Sequence, residues 1–277
     1  NGVSALLDLT NPESEKWFKG VLDNLINEFA VDGFKLDAGD GRFYKGIKSL
    51  KEVNPNTHTE LFAKIGLSYP YNEYRATWKM GGQPLVQRLH DKSHDWEDLR
   101  KLIPHMLLEG IMGYPFSCPD MIGGGQFTSF LNDAPIDQEL VVRSTQVHAL
   151  MPMMQFSVAP WRILDESHFN AVLDAVNLRD KFKETILTLA EKASVSGEPI
   201  VRSMEYVYPH KGYVDITDQF MLGNYILVAP FLSKGEGSRK VILPKGKWKS
   251  DTGKIYTGGK TITINVPLTR LPYFIFQ

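Results

Sequence analysis

Short apolar runs and stretches of helical periodicity alternate through the first 195 residues. That alternation predicts βα units around a parallel sheet. Residues 3–9 are an apolar run expected to form a buried strand. Thr10-Asn11-Pro12-Glu13 follows, with a polar cap, a proline at the first helical position and an acid in the first turn. Trp17, Phe18, Val21, Leu22, Leu25, Ile26 and Phe29 then recur at helical spacing and define one apolar face. Asp32-Gly33 turns the chain into a second strand over 34–37. Further strands are expected over 71–78, 86–90, 113–117 and 153–156. Helices are expected over 96–108, 137–150 and 168–194.

The pattern changes near residue 196. Strand-like runs at 225–229, 240–243, 261–266 and 273–276 are separated by turns such as Lys234-Gly235-Glu236-Gly237 and Thr257-Gly258-Gly259-Lys260. This predicts a small all-β sandwich. Two domains are therefore expected: an α/β portion over 1–195 and a β-domain over 196–277.

Composition narrows the classes. The chain has 277 residues, 43% of them hydrophobic and 23% charged, which is the profile of a globular protein. Lys+Arg is 31 against Asp+Glu 32, so the basic excess of a nucleic-acid binder is absent. No apolar run approaches the roughly 18 residues of a membrane-spanning helix. One cysteine, Cys118, leaves no internal disulfide and no Cys-x-x-Cys pair. The seven histidines show no metal spacing; His90 and His94 are four apart but flank a strand end.

Three aspartates stand where an α/β barrel presents chemistry, after strands at the C-terminal face. Asp37 follows Gly33-Phe34-Lys35-Leu36. Asp91 follows Arg88-Leu89-His90, with Asp95 the better helix cap. Asp120 lies in Cys118-Pro119-Asp120-Met121-Ile122-Gly123-Gly124-Gly125. Each could also be a turn or cap aspartate. The glycines after Asp120 lack the Lys-Ser/Thr of a phosphate loop. Carboxylates on separate strands suit glycosidic cleavage, in which one carboxylate attacks or stabilises the anomeric carbon and another protonates the leaving oxygen. A retaining enzyme needs about 5 to 5.5 Å between them.

These residues resemble glycoside hydrolase family 31, the retaining α-glycosidases, nearly end to end. Gly33-Phe34-Lys35-Leu36-Asp37-Ala38-Gly39-Asp40 is similar to its nucleophile motif. Asp91, with Trp96 and Leu99 five and eight residues on, is similar to its acid/base motif. Arg75, sixteen residues before Asp91, matches a substrate-binding arginine. Asp120-Met121-Ile122-Gly123-Gly124, twenty-nine residues after Asp91, resembles an Asp-Ile-Gly-Gly motif whose aspartate binds sugar hydroxyls. Arg202, Asp218-Gln219-Phe220-Met221-Leu222-Gly223 and Val228-Ala229-Pro230 resemble the stretch after the last barrel helix.

The resemblance implies a (β/α)8 TIM barrel, represented by its later strands and incomplete at its N-terminal side, followed by the sandwich. It implies that an N-terminal portion of the same protein is missing from this chain. It assigns Asp37 as nucleophile, Asp91 as acid/base, and Arg75 and Asp120 to the sugar. Lys35, two residues before Asp37 on the same side of its strand, is expected in the same pocket. Trp78 is open to either a sugar-stacking or a core position. No cofactor or metal is implied. The substrate implied is an oligosaccharide or glycoside, with no nucleic-acid partner. A periplasmic or secretory-lumen setting is favoured by the resemblance, with the cytoplasm left open.

Departures from the family pattern bear on the sugar. Lys35 stands where α-glucosidases carry Trp, Arg88-Leu89-His90 where they carry Trp-x-Gly, and Gln155-Phe156-Ser157 where they carry Arg-x-His. The Lys-x-Asp form resembles the branch holding α-galactosidases and the myogenesis-regulating glycosidase. An α-galactosidase is expected; an α-glucosidase, an α-xylosidase and a non-catalytic carbohydrate-binding homologue are the alternatives. Elsewhere, His148, Met151, Met153, Met154 and Trp161 are expected to be packing residues, and Cys118 a small filler.

Overall fold

A computed structural model of the chain describes residues 5–125 and 136–277. The chain divides into two compact units, residues 1–88 and 89–277.

The first unit is βα-built. Helix α1 (Pro12–Phe29) starts where Asn11 Oδ1 accepts the Glu13 N–H at 3.0 Å and ends on a left-handed Ala30. Strand β1 (Gly33–Leu36) leads through a 3₁₀ turn at Gly41–Tyr44 to α2 (Pro55–Gly66), capped by Asn54. Strands β2 (Tyr71–Tyr74) and β3 (Val86–Arg88) follow. All three strands are parallel, β1 on β2 and β2 on β3, with Lys35 opposite Glu73 and Glu73 opposite Val86.

Three expectations change in this unit. Val3 and Ser4, the start of the first expected strand, lie outside the described residues. Residues 5–9 form no ladder; Asp8 instead accepts from Thr10 and from the Leu50 N–H, a local bonding scheme that competes with strand pairing. Helix α2 was not anticipated, because Asn56, Thr57, Thr59 and Glu60 blur its apolar stripe. The apolar face of α1 is only partly covered: Leu22 is buried, but Trp17 and Phe29 are 63% and 68% exposed.

The second unit opens with α3 (Trp96–Ile111), capped by Asp95, whose Oδ1 accepts the Asp98 N–H at 2.8 Å. Short strands β4 (Ser117–Cys118) and β5 (Met121–Ile122) precede α4 (Gln138–Ala149). Strand β6 (Gln155–Phe156) pairs parallel with β5. Helix α5 (Glu166–Ser196) ends on a left-handed Gly197. There follow β7 (Val201–Arg202), α6 (Met204–Val207), β8 (Phe220–Leu222), β9 (Ile226–Val228), β10 (Gly237–Leu243), β11 (Lys247–Ser250), β12 (Ile255–Thr257), β13 (Lys260–Val266) and β14 (Tyr273–Phe276).

The late strands form a six-stranded antiparallel sheet in the order β12-β11-β14-β9-β8-β7, and a β10-β13 ribbon. Met221, Leu227, Trp248 and Phe274 on one face of the sheet pack with Val241, Leu243, Ile264 and Val266 of the ribbon, which closes the expected sandwich. Phe220, Leu222, Val228 and Tyr273 point the other way, into a core shared with Leu102, Ile103 and Met106 of α3 and Phe182 and Ile186 of α5. Strands β8 and β9 therefore read Phe-Met-Leu and Ile-Leu-Val without alternation, as strands buried on both faces must. Because of this shared core, the unit contains both helical layers and β-sandwich. Arg143 of α4, fully buried, extends the tie by donating to the Val266 and Pro267 carbonyls.

Candidate active site

In the first unit, β1 delivers Asp37 at its C-terminal end. The chain then bends through Ala38 (φ 64°) and Gly39 (φ 77°). A left-handed alanine is strained, and such strain collects at functional turns. Helix α2 holds the bend in place. Thr59 Oγ1 donates to the Gly39 carbonyl at 2.7 Å, and a Cβ on Gly39 would stand 2.4 Å from the Phe62 ring. Tyr74, fully buried on β2, donates to the Ala63 carbonyl of the same helix at 2.6 Å. The helix that the apolar pattern concealed is the one that shapes the loop carrying Asp37.

A chain of alternating charges runs across the three parallel strands. Asp37 Oδ1 lies 2.9 Å from Arg88 Nη2 and 3.5 Å from Arg75 Nη1. Arg75 Nη2 donates to Asp40 Oδ2 at 2.9 Å. Glu73 Oε1 is 3.0 Å from Lys35 Nζ and 3.5 Å from Arg88 Nε. Three cations (Lys35, Arg75, Arg88) thus face three carboxylates (Asp37, Asp40, Glu73), with Arg42 touching Asp40 at 3.6 Å from the solvent side. A buried guanidinium needs such partners, because removing it from water is otherwise costly. Gln87 braces the set, donating from Nε2 to the Arg75 and Arg88 carbonyls and accepting from Thr77. Trp78, next to Thr77, is 43% exposed.

Lys35, Asp37 and Arg75 are thus brought together as the sequence motifs imply. Glu73 and Arg88 belong to the same cluster; the sequence marks Arg88 only as a departure bearing on the sugar and gives Glu73 no role. The signal existed: charged side chains inside apolar strand runs are rarely buried without a partner.

In the second unit, Asp91 is half-buried in the extended stretch between Leu89, whose N–H donates to the Cys118 carbonyl at 2.9 Å, and the cap Asp95. Asp91 is not the cap. Asp120 is fully buried in a left-handed backbone (φ 69°), and its Oδ2 accepts the Lys92 N–H at 2.8 Å. Gly125 N–H donates to the Lys92 carbonyl at 3.0 Å. A Cβ on Gly125 would lie 2.4 Å from Asp120 Oδ2 and 3.0 Å from the Asp91 Cα; one on Gly124 would lie 2.9 Å from the Lys92 oxygen. The glycine run therefore permits close approach of two loops, a different use from cradling phosphate. Gln155 and Ser157 join the same neighbourhood through β5–β6 pairing and the Ser157–Ile122 hydrogen bond at 2.9 Å.

Behind this loop lie buried titratable groups. Burial pushes His148 down to about 4, against the Ser144 carbonyl that its Nδ1 contacts at 2.7 Å. Burial pushes Glu109 up to about 8, opposed by the nearby Lys92 ammonium. Burial lowers Lys92 itself, with Asp98, Asp120 and Glu109 opposing. Cys118 and Met151 are fully buried, whereas Trp161, expected to pack, is 71% exposed on a 3₁₀ turn. Arg202 is braced by Glu198 at 3.0 Å and by the Pro199 carbonyl at 2.8 Å. Among the described residues, no group of three or more His, Cys, Asp or Glu is placed to hold a metal.

A βα-built parallel sheet followed by an antiparallel sandwich, with aspartates at strand ends, is the layout of a barrel hydrolase with an appended β-domain. Comparison with known proteins agrees. Residues 1–189 match the glycosyl hydrolases family 31 TIM-barrel domain, and residues 197–277 match the glycosyl hydrolase family 31 C-terminal domain. The chain belongs to glycosyl hydrolase family 31. It is 34% identical over 294 residues to the myogenesis-regulating glycosidase of Mus musculus, covering 99% of this chain and 40% of that protein. It is 26% identical over 308 residues to alpha-glucosidase 2 of Bacillus thermoamyloliquefaciens, covering 100% of this chain and 38% of that protein. In structure it matches the cycloalternan-degrading enzyme from Trueperella pyogenes with a TM-score of 0.84 at 19% identity, over 98% of this chain and 42% of that one. The chain thus spans about two-fifths of the length of the relatives it matches.

Proposed function

We propose that the protein carrying this chain is a retaining exo-α-glycosidase that removes a terminal α-galactosyl residue. In this reading Asp37 attacks the anomeric carbon and Asp91 protonates the departing oxygen, then activates water. Lys35, Arg75 and Trp78 hold the sugar, Arg75 by orienting hydroxyls with a planar fork, while Asp120, enclosed and bonded to the Lys92 N–H, supports the Asp91–Lys92 stretch. No cofactor is required. Residues 1–195 are the barrel portion and 196–277 the sandwich.

The observation that carries the reading is Asp37 itself. It stands at a strand end, its side chain 57% exposed, on a strained turn and oriented by two arginines. A carboxylate that is both held and accessible suits nucleophilic attack. The galactose preference rests on the resemblance of the Lys-x-Asp form to the α-galactosidase branch and on Lys35 and Gln155 standing where α-glucosidases carry other residues.

Two measurements on the full-length protein test this. Asp37→Ala should lose turnover by at least about 10³-fold, and azide should restore part of it while yielding a glycosyl azide of inverted anomeric form. Undiminished turnover would sink the nucleophile assignment. A panel of aryl α-galactoside, α-glucoside and α-xyloside should show the galactoside cleaved fastest; a clear preference for the glucoside refutes that choice of sugar.

A further inference from the structure

Both arginines beside Asp37 contact the same oxygen. Arg88 Nη2 is 2.9 Å from Oδ1 and Arg75 Nη1 is 3.5 Å from it. Their other partners differ. Arg75 is tied to Asp40, at the open end of the loop. Arg88 is tied to Glu73, which also holds Lys35. Arg88 is 3% exposed and Glu73 is buried, while Asp37 is open. A guanidinium locked in the protein on one side and bonded to an accessible carboxylate on the other fixes that carboxylate's rotamer. A planar fork holds two carboxylates at fixed directions from one group, whereas a lysine ammonium is a point charge on a flexible stem.

We propose that Arg88 is a positioning residue that clamps Oδ1 of Asp37 and leaves Oδ2 to attack, with Glu73 as the counter-ion that keeps Arg88 neutralised once Asp37 has become an ester. This rests on the reading of Asp37 as the nucleophile. In the step concerned, an Oδ2 lone pair forms the bond to the anomeric carbon as the bond from that carbon to the leaving oxygen breaks. The leaving oxygen keeps the electron pair and takes a proton from the general acid. The negative charge of Asp37 vanishes in the ester. A buried cation facing only that ester would be uncompensated and would disfavour the intermediate. Glu73, 3.5 Å from Arg88 Nε and shared with Lys35 at 3.0 Å, keeps a carboxylate beside the guanidinium and lessens that penalty. Neither residue touches the reacting carbon; both act through Asp37.

The test is covalent trapping on the full-length protein with 5-fluoro-α-galactosyl fluoride and its gluco counterpart, followed by intact mass and peptide mapping. The parent should gain one glycosyl group on Asp37. Arg88→Ala should label about 100-fold more slowly, the scale of a misplaced reacting group. Its KM for an aryl glycoside should change little, and millimolar guanidinium ion should restore part of the rate. Arg88→Lys should fall between the two. Glu73→Gln, which keeps Arg88 in place, should also slow labelling. Parent-rate labelling by Arg88→Ala, or a folded Arg88→Ala protein that guanidinium does not rescue, overturns the clamp. Parent-rate labelling by Glu73→Gln overturns the counter-ion even if Arg88→Ala fails to fold. Labelling that persists in Asp37→Ala, or no labelling of the parent by either fluoride, removes the nucleophile reading and this inference with it; a dead Asp37→Ala beside normal Arg88 variants removes only this inference.

Discussion

Asp37 and Asp120 both sit just past short strands, yet the chain treats them in opposite ways. Asp37 is more than half exposed and is held by side-chain cations. Asp120 is fully buried and spends Oδ2 on a backbone N–H. Side-chain ion pairs orient a carboxylate while leaving an oxygen open to a substrate. A backbone hydrogen bond in an enclosed site turns a carboxylate into a brace, here for the Asp91–Lys92 stretch. The two aspartates share a sequence signature, so the difference teaches that position after a strand does not settle the kind of work a carboxylate does.

The comparison is broken most sharply by paired amide substitutions. Asp37→Asn should lower turnover by at least about 10³-fold while costing less stability than the change at Asp120, because Arg88 keeps Glu73 as a second partner. Asp120→Asn should instead lower stability by about 1 to 3 kcal/mol, by weakening an enclosed hydrogen bond. Urea unfolding midpoints beside initial rates would check both, and equal stability losses would erase the distinction.

The environment behind Asp120 also makes a pH prediction. Glu109 keeps its proton up to about 8 in the fold, against 4.5 for its ordinary value. Between those values the folded state binds more protons than the unfolded one, so this group's contribution to stability is intact below pH 4.5. It is lost as pH rises toward 8, at about 1.4 kcal/mol per unit. His148, pushed down to about 4, works in the opposite direction as pH falls below 6.5. Glu109→Gln should therefore match the parent near pH 4.5 and exceed it at pH 8. Urea melts at the two pH values would show it, and a constant offset would contradict the assignment.

Two smaller effects probe the Asp37 side. Asn54→Ala removes the cap of α2 and should lower stability by about 1 kcal/mol. Turnover should fall with it only if that helix shapes the Asp37 loop. Ala38→Gly relieves a left-handed alanine but loosens the unfolded chain, so the net change should stay within about 1 kcal/mol. A loss beyond that, read by thermal melts, would show that the alanine methyl itself packs.

Much of this was legible in the residues. Caps announced α1 and α3, helical periodicity announced α5, and the turn glycines announced the sandwich. The motifs around Asp37, Asp91 and Asp120 carried the family. Helix α2 was hidden because its polar positions hide its apolar stripe. Residues 5–9 form no strand because an apolar run becomes one only where a partner pairs with it, and Asp8 bonds to Thr10 and to the Leu50 N–H instead. Trp161, expected to pack, is exposed, because an aromatic residue in a sequence does not report what covers it.

By itself, then, the sequence determined the succession of βα units and then antiparallel strands, the family, and the motifs around Asp37, Arg75, Asp91 and Asp120. Those signals are local: caps, periodicity and motif spacing need only neighbours along the chain. Only the tertiary structure decided that Arg88 and Glu73 complete the Asp37 cluster, that Asp120 is enclosed, and that a core shared by sheet and helices joins α3 and α5 to the sandwich. Those depend on partners dozens of residues away, 51 positions in the case of Arg88 and Asp37, and register and burial bring such partners together without leaving a pattern in either segment alone.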